Sequence, residues 1–288
     1  MARFASALAF LCTLAVILGS AGCGQRFEEL GAGQPPPPAD LAAAALSALE
    51  AAGSAHVVFD GELAATLGTE AQFGVHFEGD LSKDALVGDG EIRFPGGTIG
   101  ARLLVGEHDL YVRFMGTWYH AGGAGIRDAA ALAKAQNDDL LDDLMSAAGL
   151  RKRFSELFEG EVTEGPVVDG VETWQFEGSF RADTFANFAE KYDNVQLTDK
   201  DRALLAEVAA ASRLTLVVGR EDRLPRSLAL KLDPPRGLPF ESDKLRNTAG
   251  SFSVRVDLSD FGKDVSFEAP KDVKPLDALI EQFFSGFG

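Results

Sequence analysis

Cysteine is nearly missing from this chain. Its 288 residues include two, Cys12 and Cys23, and none from Gly24 onward. That excludes a disulfide framework and any thiolate metal site from the bulk of the protein. Histidine is scarce too. His56, His76, His108 and His120 are the four, and none stands three or four residues from another, so HExxH and Cys/His metal patterns are absent. Each reads as a solvated or singly bonded side chain, and no metal or cofactor is expected. Basic residues number 27 against 44 acidic ones, a formal net charge of −17. Nucleic acid is thereby excluded as a partner, because affinity there comes from Lys and Arg neutralising phosphate. There is no GxSxG elbow, no Walker loop and no GxGxxG opening a helix, so nothing selects an enzyme. AGGAG, at Ala121–Gly125, reads as a loop rather than a phosphate cradle. Tryptophan (two) and tyrosine (three) are few beside 21 phenylalanines. Phe carries no polar handle and suits a dry core or an apolar cavity.

What is present begins with a charged residue, Arg3, an apolar run from Phe4 to Leu18, and then small residues. This is the layout of a secretory signal. The run is about 15 residues long, short of the ~20 a spanning helix needs. Ser20-Ala21-Gly22-Cys23 resembles the bacterial lipobox, which makes Cys23 the lipidated first residue of the mature chain. Ser20 stands where a branched aliphatic residue is usual, and cleavage after Ala21 by an ordinary signal peptidase is the alternative. With Cys12 removed and Cys23 acylated, the mature domain has no free thiol. Residues 23–40 follow as a tether, with Pro35 to Pro38 extended and the glycines flexible. The layout is therefore signal peptide 1–22, tether 23–40 and a single domain 41–288.

Along that domain, DLAAAALSALEAA from Asp40 predicts a helix capped by Asp40 and ended by Gly53. Period-two alternation then marks strands that are dry on one face and wet on the other. Phe73, Val75, Phe77 and Leu81 oppose Gln72, His76, Glu78 and Asp80; Ile92 and Phe94 oppose Glu91 and Arg93; Leu110, Val112 and Phe114 oppose Asp109, Tyr111 and Arg113. Turn signals fall at Leu67–Thr69, Gly88–Gly90, Pro95–Gly97 and Gly106–His108. Residues 126–159 read as helix, and within them Asp138, Asp139, Asp142 and Asp143 read as a solvated acidic face rather than a Ca²⁺ site. Strands return at ETWQFEGSF, where Trp174, Phe176 and Phe180 share a face. Helices are expected at TFANFAEKY and at DKDRALLAEVAAA, the latter capped by Thr198, and strands again at RLTLVVGRED, RLPRSLALKLD, GSFSVRVDLSDFG and KDVSFEAP. The total is about ten strands, an α+β chain in which inserted helices cover the sheet. PLDALIEQFFSGFG ends it with Leu276, Leu279, Ile280, Phe283, Phe284 and Phe287 at helical spacing. This stripe either packs on the sheet or gates a cavity mouth, with Phe283, Phe284 and Phe287 as the gate.

Four stretches in order carry a family resemblance: the opening helix with AAGSAHVVFDGEL (Ala51–Leu63), DLYVRFMGTWYH (Asp109–His120), REDRLPRSLAL (Arg220–Leu230) and VRVDLSDFGKDVSFEAP (Val254–Pro270). With the signal and tether, they resemble the LppX/LprG family of bacterial envelope lipoproteins, relatives of the LolA-like lipid carriers, over roughly Leu41 to Pro270. The resemblance implies a strongly curved antiparallel half-barrel with helices on its concave side and an apolar cavity between them. It implies no catalytic residues. The candidates for the cavity lining are Phe73, Val75 and Phe77, then Ile92 and Phe94, then Leu110, Val112, Phe114 and Trp118, and finally Trp174 and Phe176.

The expected function is an anchored lipoprotein on the outer face of the bacterial cytoplasmic membrane. It would take the acyl chains of a lipid or lipidated glycoconjugate, of palmitate length, across the envelope as a monomer, with an envelope transporter as a further partner. An envelope sensor or accessory module with a filled interior is the second reading. A hydrolase of envelope polymers is a third.

Overall fold

The computed structural model describes residues 34–66, 70–107, 109–122, 146–193, 197–234 and 250–279. Cys23, His108, the acidic run Asp138 to Asp143, and Phe283, Phe284 and Phe287 lie outside them.

Helix α1 spans Pro38–Ala52. It starts two residues before the expected Asp40 cap, and Pro37 is the N-cap instead. Pro38 suits the first helical position because its missing N–H would be unpaired there anyway. Asp40 lies in the first turn, near the positive end of the helix dipole, and accepts from Arg151 Nε at 2.7 Å. Gly53 ends the helix as expected, at φ +76°, with its N–H donating to the Leu49 carbonyl at 3.1 Å.

Six strands follow: β1 (Ser54–Thr66), β2 (Glu70–Ser82), β3 (Leu86–Phe94), β4 (Gly97–Val105), β5 (Asp109–Phe114) and β6 (Thr117–Gly122). Then come α2 (Ala147–Leu157), β7 (Phe158–Glu164), β8 (Thr173–Phe180), α3 (Ala182–Asp193), α4 (Asp199–Ala210), β9 (Ser212–Gly219), β10 (Pro225–Leu232), β11 (Gly250–Ser259) and the short β12 (Lys274–Pro275). All twelve form one open, curved sheet in the order β12-β6-β5-β4-β3-β2-β1-β11-β10-β9-β8-β7. Two antiparallel runs, β1 to β6 and β7 to β11, meet where β1 pairs antiparallel with β11. Among the described residues every pairing is antiparallel except β12 with β6. β7 is the outermost strand at one edge and carries Glu159, Glu161 and Glu164.

Three sequence expectations change here. Gly88-Asp89-Gly90 is not a turn but the middle of β3, with Gly88 facing Gly79 and Gly90 facing Phe77. KDVSFEAP, 263–270, joins no strand; its Phe267 ring instead meets Tyr111 edge-on at 6.1 Å. Phe158 and Glu159 belong to β7 rather than to the preceding helix.

Two glycine pairs allow the sheet to bend. Gly79 faces Gly88, and Gly160 faces Gly178. A Cβ on Gly79 would stand 2.3 Å from the Val87 carbonyl oxygen, and one on Gly178 2.4 Å from the Phe176 ring. Such bare positions let strands coil sharply, and a neighbouring aromatic ring covers the exposed backbone. Phe77 does this for the first pair and Phe176 for the second.

The helices lie on the face defined by Phe59, Val256, Leu228, Leu216 and Phe176, which register aligns across β1, β11, β10, β9 and β8. Leu41, Ala45 and Leu49 of α1, Phe154 and Leu157 of α2, and Val208 and Ala209 of α4 complete that core. Helix α4 starts in a capping box, as expected from Thr198: its hydroxyl accepts from the Asp201 N–H at 3.2 Å, while the Asp201 carboxylate accepts from the Thr198 N–H at 3.1 Å. Thr198→Ala is expected to lower stability by about 1 kcal/mol, measured as a shift in the urea unfolding midpoint at unchanged slope.

Candidate functional site

Directly paired residues of an antiparallel ladder share a face, so register fixes which side chains can form one surface. Val75 pairs with Gly61 and Ile92; Ile92 pairs with Ile99. Phe77 pairs with Phe59, and Phe73 with Leu63. Ala101, Leu103 and Val105 pair with Phe114, Val112 and Leu110. Phe73, Val75, Phe77, Ile92, Phe94, Leu110, Val112 and Phe114 therefore share the helix-bearing face. Trp174 and Phe176 also lie on it, paired with Val218 and Leu216.

Trp118 does not. It pairs with Arg113 on the outer face, while its neighbour Tyr119 points inward and is buried with Phe114 and Leu279. The two residues that follow the tight turn at Met115 and Gly116 set the parity of β6, and Trp118 falls on the wet side.

The shared face is covered unevenly. Trp174 and Phe176 are buried under the helices, with the Phe176 ring 5.0 Å from that of Phe154. They belong to a filled core. At the opposite end, the helical turn at 276–279 sets Leu279 against Phe114 and Tyr119, with Ile99 and Val112 beside them. Between these two covers, β2 and β3 present a bare apolar band: Phe73 is 37% exposed, Val75 43%, Ile92 54% and Phe94 36%. Most exposed apolar side chains on proteins are scattered singly; contiguous ones mark a binding surface. Leu63, Ile99 and Leu103 extend the same face and were not among the sequence candidates. For β4 the obstacle is Gly97 and Gly100, which hide its alternation; for β1, the run Val57-Val58-Phe59 breaks the period.

The outer face has a different chemistry. His56 and His76 are each hydrogen-bonded to an aspartate directly across the β1–β2 ladder, His56 to Asp80 and His76 to Asp60, both at 2.8 Å. His120 bonds Asp109 at 2.7 Å and stacks on Tyr111 at 4.6 Å. These are surface pairs, and His56 also places Nε2 3.6 Å from Glu78 Oε1. A shallow depression is bordered by Asp89, Arg102, Arg113 and Met115, with Arg102 paired to Asp89 at 3.3 Å. Among the described residues no group of three or more His, Cys, Asp or Glu is placed to hold a metal, and no helix is long and apolar enough to cross a membrane. Burial raises the Glu50 carboxyl above its ordinary range, and the hydrogen bonds that Arg255 donates to the Asp257 carboxylate raise the guanidinium. Neither group borders the band.

No protein-family model matches the chain, and no curated protein matches it. Comparison with solved structures finds the crystal structure of LprF from Mycobacterium bovis at 14% identity and a TM-score of 0.40, covering 83% of this chain and 99% of that one. It also finds a LolA superfamily protein from Nitrosomonas europaea at 11% identity and a TM-score of 0.20, covering 74% of this chain and 88% of that one. Over most of its length the chain is similar to these two proteins.

Proposed function

We propose that this chain is an envelope lipoprotein that binds the acyl part of a lipid on its bare apolar band and carries it between membranes without chemical change. The observation that supports it is the cross-strand set Phe73, Val75, Ile92 and Phe94, exposed on a sheet face that the helices bury from β11 to β8. A hydrocarbon of about 16 carbons holds about 13 kcal/mol of transfer free energy at about 0.8 kcal/mol per CH₂, so it leaves a bilayer unaided only slowly. An apolar surface inside a curved sheet replaces much of that loss. Because apolar contact is non-directional, chain length is only loosely selected.

The remaining sequence features fit this role. Cys23 would carry the anchor, and the roughly 17-residue tether would reach about 50 Å at about 3 Å per residue. The charge of −17 keeps the folded part off anionic lipid surfaces, so residence at the membrane falls to the anchor. Both strand runs contribute to one sheet, in keeping with one domain after the tether.

The test is organic extraction and mass spectrometry of the purified protein, with titration by a fluorescent fatty acid. A stoichiometric lipid and a saturable site are the expected results. If neither is found, the carrier reading fails and the anchored accessory module takes its place.

A further inference from the structure

We infer that the turn joining β5 to β6, with the arginines and the tryptophan behind it, is a docking edge for an anionic bilayer surface. The contact does not depend on the band carrying lipid, although it sets the open end of the band beside the membrane.

The first observation is the residue that occupies the turn. Phe114 pairs with Thr117, which leaves Met115 and Gly116 as a two-residue loop at φ +48° and +81°. A loop with both central residues in the left-handed region favours Asn-Gly or Gly-Gly, because most other side chains are strained there. Met115 gains no burial in return. It is 84% exposed, more than any other large apolar residue described. A flexible apolar side chain held out on a strained tip suits an apolar partner outside the molecule.

Charge is the second observation. Arg102 and Arg113 face each other across β4 and β5 on the outer surface, and like charges directly opposite destabilise a sheet. Asp89 relieves Arg102 at 3.3 Å, and Glu91 also borders the depression. Among the described residues nothing pairs with the Arg113 guanidinium. Facing guanidiniums are out of character in a chain of formal charge −17, and they are matched by lipid phosphates, whose oxygens fit the two parallel N–H donors of an arginine fork. Trp118 completes the set. It is paired directly with Arg113 and half-buried, and an indole beside cations settles at the level of lipid headgroups.

Position joins this edge to the band. Neighbouring strands alternate in direction, so the turns after β3 and β5 lie at the same end of the sheet. To that end β3 brings Ile92, Phe94 and the exposed Pro95. A bilayer met by Met115 therefore lies next to the uncovered apolar face. Repulsion between the acidic remainder and an anionic surface fades over about 8 Å at physiological ionic strength. Approach with this edge forward is the orientation least opposed. The anchor proposed at Cys23 supplies residence, and the edge supplies orientation.

The two tryptophans make the test direct, because Trp118 lies on the edge while Trp174 is 3% exposed in the core. The full chain carrying Cys12→Ser is coupled through Cys23 to a maleimide lipid in vesicles with brominated acyl chains. Bromine quenches indole only at short range. On vesicles containing phosphatidylglycerol Trp118 should be quenched, and Trp118→Phe should abolish the effect. On phosphatidylcholine alone the quenching should be several-fold weaker. Arg113→Ser and Met115→Asn should each reduce it several-fold, whereas Lys83→Ser, at the turn between β2 and β3 on the opposite end, should not. Both edge variants should melt no lower than the parent, since one removes a repelling charge and the other puts a favoured residue into the turn. Quenching that ignores phosphatidylglycerol, or that survives both edge changes, overturns the inference. A lowered melting temperature in either variant does so too, by making the residue a structural one. A patch built for a protein would leave Trp118 unquenched on both vesicles, and the inference would fall. None of these readouts needs fatty acid on the band, so failure of the carrier reading is separately visible.

Discussion

Phe176→Ala is expected to lower folding stability by about 3–5 kcal/mol, the range for a fully buried aromatic truncated to a methyl group. Phe176 is 0% exposed and sits on β8 between Val162 and Leu216, its direct partners on the two flanking strands. Its ring meets Phe154 of α2 at 5.0 Å and an interplanar angle of 67°. It also covers the Gly160–Gly178 pair, so its loss both opens a cavity and exposes backbone at a bend. Two terms then act together, lost transfer energy and an unsupported curve. Guanidinium unfolding measures the effect. A loss below about 1 kcal/mol would mean that α2 is not seated on β8.

Ile92→Glu and Val75→Glu, made separately, should have the reverse profile. Both residues are largely solvated, and surface substitutions away from special features usually stay within about 0.5 kcal/mol. Bound hydrocarbon would have to desolvate the new carboxylate, which costs a kcal/mol or more even with partial compensation. Affinity for a fluorescent fatty acid should therefore fall at least tenfold, about 1.4 kcal/mol, while the melting temperature stays nearly constant. Trp118→Glu, on the outer face, should leave affinity unchanged. Unaltered binding in both band variants would place the ligand elsewhere and remove the basis for the carrier reading.

Much of the sheet was legible in the sequence because strands with one wet face alternate. Phe73, Val75 and Phe77 on β2 and Leu110, Val112 and Phe114 on β5 fall on the expected side. The misreadings have local causes. Gly88 and Gly90 look like turn residues, and only the ring of Phe77 from the next strand explains why β3 tolerates Gly88. Val265 and Phe267 alternate like a strand, but that segment crosses the sheet instead of pairing with it. For the candidate site, sequence supplied most of the inward residues, misplacing Trp118 and missing Leu63, Ile99 and Leu103, but not their cover. Phe176 and Ile92 are both inward and apolar. One is sealed by α2 while the other is bare, and that difference arises from where helices land, which is a tertiary outcome with no periodic signature.

The outermost strand on the β7 side has a further consequence. An unpaired strand invites another copy to add its own, and long apolar edges polymerise readily. Here a second molecule laid against β7 would bring its own acidic side chains against Glu159 and Glu161 on one face of the edge and Glu164 on the other, like charges where a ladder would have to form. A rise in local concentration would then occur without promoting fibres. A charge-neutral edge, made with glutamine at the three positions, should aggregate sooner at the same concentration.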